Sequence, residues 1–164
     1  MTMRDEIRIF SEEVLADLRS AAWLESELHP ELDLHRRHEM ADICEGSNMD
    51  RVWRVLGLSV AEIRSHLAEI LKDGHRHYLD NELKSIPVYI FHFSRKLPFD
   101  VALLLKEKIH DYLVARVMHD RASVIIPGCA GIWRERSEAS LVAIDGCCRG
   151  VAAGFTARRP LWPM

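Results

Sequence analysis

Apolar residues recur at helical spacing through most of the chain, and where that spacing fails the residues are either β-branched and aromatic or rich in glycine and proline. Ile7, Phe10, Val14, Leu18 and Ala21, widened by Leu15 and Ala22, predict an amphipathic helix over Arg4–Leu24. After Pro30, Leu32, Met40 and Ile43 predict a second helix over Glu31–Cys44, with Gly46 as its stop. Met49–Leu56 reads as a short third helix ended by Gly57. Ser59-Val60-Ala61-Glu62 has capping-box spacing and opens another helix, Val60–Lys72, closed by Gly74.

The period then changes. Leu83–Phe93 is mostly β-branched or aromatic and predicts a strand, which Pro87 pushes to a sheet edge because proline cannot donate to a ladder. Its expected partner is His75–Leu79, turned at Asp80-Asn81, or a strand of another subunit. Pro98 and Asp100 introduce a long helix to about Ala122. Val101, Leu104, Leu105, Ile109, Tyr112, Leu113 and Val117 lie on one side of it, with Leu103, Val114 and Met118 elsewhere. A helix apolar most of the way round belongs in a core or an interface. Trp133, Ser137, Leu141 and Ile144 predict a last helix over Cys129–Ile144, ended by Gly146. The expected fold is therefore mainly α, with about five helices and a minor β-hairpin or extended segment at about 75–93. It forms one helical domain over 1–146, followed by an irregular tail over 147–164.

Composition narrows the class. At 164 residues, 48% hydrophobic and 29% charged, the chain has the makeup of a globular domain. A formal charge of -3 supplies no basic field, so a nucleic-acid partner is not expected. The start of the chain is charged, which does not suit a signal peptide. The apolar run Val101–Leu105 is far shorter than the ~20 residues that span a bilayer. The expectation is a cytoplasmic protein with no membrane partner, whose four cysteines, Cys44, Cys129, Cys147 and Cys148, are free thiols.

Candidate chemistry is sparse. His35 and His38 lie at i, i+3 with Asp42 four residues further on, so one helical face offers two imidazoles and a carboxylate, as metal sites in helical bundles do. Arg36, Arg37 and Glu39 around them favour a solvated, charged face. His75-x-His77 is a weaker pair, and His110 and His119 fall on different parts of the long helix. There is no G-x-S-x-G elbow, no G-x-G-x-x-G and no Walker-type loop. The helical hairpin over 49–72, with Arg51 and Arg54 in its first arm, has the outline of a helix-turn-helix. Glu62 and Glu69 on its second arm make a poor surface for phosphate.

Trp53-Arg54-Val55-Leu56-Gly57-Leu58-Ser59-Val60-Ala61-Glu62 and Leu105-Lys106-Glu107-Lys108-Ile109-His110-Asp111-Tyr112-Leu113-Val114, with Ile126-Pro127 and Trp133, form a pattern over Met1–Ile144. It resembles small prophage and mobile-element proteins of Bacteroidetes found near virion-assembly proteins. The resemblance implies a non-enzymatic head–tail or tail-assembly component with protein partners, self-association among them, and no cofactor. The motifs are packing patterns and carry no catalytic residues across. A metal-dependent helical hydrolase using His35, His38 and Asp42, and a DNA-binding regulator using 49–72, are the alternatives.

Overall fold

A computed structural model describes residues 3–72 and 88–154. In chain order its elements are β1 (Met3–Phe10), α1 (Ser11–Leu28), α2 (Leu34–Ala41), α3 (Asn48–His66), β2 (Val88–Pro98), α4 (Phe99–Ile125) and α5 (Pro127–Ala152). The fold is mainly α, with five helices and one two-stranded antiparallel sheet among the described residues.

The first departure from the sequence pattern lies at the N-terminus, where Met3–Phe10 is a strand and the helix begins only at Ser11. Ile7 and Ile9 are buried while Glu6, Arg8 and Phe10 face outward, a period of two that suits β-branched side chains. Phe10, counted inward by helical spacing, is 40% exposed.

That strand is also the true partner of β2. Ile7 pairs with Phe91 and Ile9 with Tyr89, and the register shifts between Arg4 and Glu6. The described strand partner of β2 is thus a long-range one, and the expected partner His75–Leu79 lies outside the described residues. On its other edge β2 meets the turn after α3. Lys72 N–H donates to His92 O at 2.9 Å and Ser94 N–H to Ile70 O at 2.9 Å. Tyr89, Phe91, Phe93 and Leu97 point into the core.

α3 corrects a second expectation. It runs unbroken through Gly57, so residues 49–72 hold one long helix and no helix-turn-helix. Val52, Leu56, Val60 and Ile63 make one buried stripe across the glycine. The capping box does not form. Ser59 is buried in mid-helix with its hydroxyl donating to Val55 O at 2.7 Å, and Glu62 accepts the Tyr112 hydroxyl.

α4 is the central element. Leu105, Ile109, Tyr112, Leu113, Val117 and Met118 are all buried, against α5 foremost and also against α1, α2, α3 and β1. Its C-terminus meets α5 through the single residue Ile126, so the two helices form a hairpin. α5 continues past Gly146 to Ala152 with Cys148 and Val151 buried, so 147–152 is helix where the sequence predicts an irregular tail, and 155–164 lies outside the described residues. No described helix is long and apolar enough to cross a membrane.

Candidate functional site

The sequence-predicted metal set does not assemble. His35, His38 and Asp42 are all exposed on or just after α2, and the fold does not gather them as three ligands. Asp42 instead caps α2 through its backbone N–H, which donates to His38 O at 2.8 Å. Two of the basic residues of 49–72 are engaged with other elements. Arg51 makes a two-pronged ion pair with Asp120 on α4, at 2.6 and 3.0 Å, and Arg64 donates to Ile90 O at 2.6 Å while stacking over Phe91. Both cations serve packing between elements, while Arg54 is exposed on α3.

All four cysteines are free thiols. Burial pushes each of their pKa values up, away from the thiolate a nucleophile needs. Asp145 holds His66 Nδ1 at 2.7 Å in a shallow pocket that Cys148 also lines. This has the outline of a carboxylate–imidazole–thiol array. Cys148 is not drawn into it: no ligand-distance group contains these three, and Glu69 and Asp145 add to burial in keeping its thiol protonated.

One mixed donor set does converge. Glu25 in the last turn of α1, His29 at its C-cap and Cys129 in the first turn of α5 place a carboxylate oxygen, a ring nitrogen and a sulfur all within 4.8 Å of one another. Glu25 and His29 are one helical turn apart, which stacks them on one face. Cys129 reaches them because the α4–α5 hairpin returns the chain to that end of α1. His29 Nε2 is 3.4 Å from Glu25 Oε2. His29 Nδ1 lies 2.7 Å from Glu31 Oε1; a carboxylate can only accept, so Nδ1 carries the proton and the lone pair of a neutral ring sits on Nε2. Trp133 Nε1–H donates to Glu25 Oε1 at 3.0 Å. Burial, then the negative charge of Glu25, lifts the Cys129 pKa to about 11. Sequence reading passed over Glu25 and His29, although their i, i+4 spacing is visible in it; the third member, a hundred residues away, is not.

A groove of about 570 Å³ lies between β1 and the start of α4. Phe99, Ala102, Leu103 and Lys106 form one helical stripe on its α4 wall, and Arg4, Glu6, Arg8 and Phe10 supply the strand wall. Among the described residues no part of β2 lines it, and β1 has no strand neighbour besides β2. Arg4 stacks over Phe99 and Lys106 over Phe10, while Arg8 pairs with Glu6 at 2.7 Å. Three cations against one anion make the groove basic on a chain of net charge -3.

No family model, curated protein or solved structure matches this chain.

Proposed function

We propose that this protein is a non-enzymatic interaction module that receives an extended acidic segment of a partner protein along β1. The observation carrying the reading is the basic groove against β1, which among the described residues has a strand neighbour on one side only. An open strand edge supplies main-chain donors and acceptors in a row, and flanking side chains select what pairs there. Arg4, Arg8 and Lys106 favour carboxylates, and Phe10, Phe99 and Leu103, each more than one-third exposed, offer apolar contact area. The head–tail or tail-assembly role implied by the sequence resemblance is one setting in which such a surface would serve.

Self-association is the second occupant to test. The apolar surfaces of β2 and α4 lend it little support, because Tyr89, Phe91 and Phe93 and most apolar positions of α4 are covered within the chain. A groove-to-groove pair would also set the same excess of cations against itself.

The test is fluorescence anisotropy against a panel of extended acidic and neutral peptides. Acidic peptides should bind, with affinity falling as salt rises and falling about tenfold further in Arg8→Glu/Lys106→Glu. Affinity indifferent to that double substitution would overturn the groove as the site. A molecular mass that rises with concentration in light scattering, and is restored to monomer by the same substitutions, would assign the groove to a second copy instead.

A further inference from the structure

We propose that Glu25, His29 and Cys129 bind one divalent transition-metal ion, zinc foremost, clasping the end of α1 to the start of α5. The site stands apart from the groove, at the opposite end of α1 from β1, and neither reading depends on the other.

The donor chemistry comes first. One carboxylate oxygen, one imidazole nitrogen and one thiolate sulfur form the mixed set that borderline-soft zinc accepts, whereas calcium and magnesium demand oxygen throughout. A carboxylate and a thiolate together neutralise a divalent cation, so the complex would carry no net charge into a site where Cys129 is buried and Glu25 and His29 are largely covered.

The geometry agrees. With metal–ligand bonds of about 2.0–2.1 Å, the nitrogen–oxygen edge of a tetrahedron is roughly 3.3–3.4 Å. The 3.4 Å between His29 Nε2 and Glu25 Oε2 has that length, and is longer than a good hydrogen bond between the same atoms. The sulfur completes a triangle of donors that all lie within 4.8 Å of one another, and side-chain movement of about 1 Å brings them to the edges of a tetrahedron.

The surrounding groups point the same way. Metal-bound histidines commonly give their other N–H to a carboxylate, which fixes the tautomer and aims the lone pair at the ion. Glu31 does this for His29, and Trp133 fixes the Glu25 carboxylate from its other oxygen. Cys129 sits in the first turn of α5, where the helix dipole favours an anionic sulfur. Binding breaks the Cys129 S–H bond, forms a metal–sulfur bond and releases one proton to solvent. Glu25 and His29 donate lone pairs, nothing is oxidised or reduced, and one coordination position is left for water.

The experiment uses the full chain without an affinity tag, stripped of metal and titrated with cobalt(II). One equivalent should bind, with a thiolate-to-cobalt charge-transfer band and the visible bands of four-coordinate cobalt, and zinc should displace it. Cys129→Ser should abolish the charge-transfer band, and His29→Ala should weaken binding at least about tenfold. Glu31→Gln, which touches no metal, should weaken it less, and His35→Ala/His38→Ala should change nothing. Absence of the band in the wild-type chain overturns the proposal. So does its persistence in Cys129→Ser, or its loss in the His35/His38 double variant alone. If Cys129→Ser does not fold, His29→Ala decides, since it alters only a partly exposed helix end: undiminished affinity there overturns the site.

Discussion

Ser59 shows how far a single residue's meaning depends on its surroundings. Serine followed three places later by glutamate is the pattern of a capped helix start, but both side chains are used differently here. The Ser59 hydroxyl folds back onto the carbonyl four residues earlier, and Glu62 reaches across to Tyr112 and, at 3.7 Å, to Arg116 on α4. Val55 O keeps its place in the helix ladder without the hydroxyl, and alanine is the better mid-helix residue. Ser59→Ala should therefore change stability by less than about 0.5 kcal/mol, where loss of a true cap costs about 1 kcal/mol. A fall in urea midpoint equivalent to 1 kcal/mol or more, at constant slope, would return Ser59 to a helix start. The same lesson holds at the donor cluster. Glu25 and His29 were legible as a helical pair, but their meaning rests on Cys129, and only the packing of α5 against α1 brings it there.

At the scale of elements, the apolar period was the trustworthy signal and glycine the misleading one. The stripe Val52, Leu56, Val60 and Ile63 keeps step straight through Gly57, and Ile144, Cys148 and Val151 keep step through Gly146. Burial along each stripe outweighs the roughly 1 kcal/mol that a glycine costs a helix interior. Glycine is needed where the backbone must turn left-handed, as at Gly46, which has φ +52 in the turn between α2 and α3, several residues beyond the end of α2. Gly57 has no such task, and a side chain there would meet nothing within 4 Å. Gly57→Ala should accordingly raise stability by about 0.5–1 kcal/mol, seen as a higher melting temperature with an unchanged far-ultraviolet spectrum. Were residues 49–72 two helices hinged at that glycine, the same change would destabilise the chain.

At the scale of the whole molecule, the sheet is the feature local patterns could least supply. β2 announced itself by composition, whereas its partner lies at the far end of the sequence and was hidden in a stretch that also fits the opening turns of an amphipathic helix. The two readings make opposite demands on neighbouring residues. In a helix Phe10 points inward; in the strand Ile9 does, 1% exposed opposite Tyr89, while Phe10 stands at the rim of the groove. Ile9→Ala should therefore cost about 2–5 kcal/mol, and Phe10→Ala less than about 1 kcal/mol. The kinetics should carry the same signature. Joining β1 to β2 closes a long loop, and that entropy is lost before the contact returns anything, whereas the α4–α5 hairpin is local. Strand pairing should follow assembly of the helices, so Ile9→Ala should speed unfolding and leave the folding rate nearly unchanged. If the loss of stability appears instead as slower folding, the N-terminal strand belongs to the nucleus and the helices form around it.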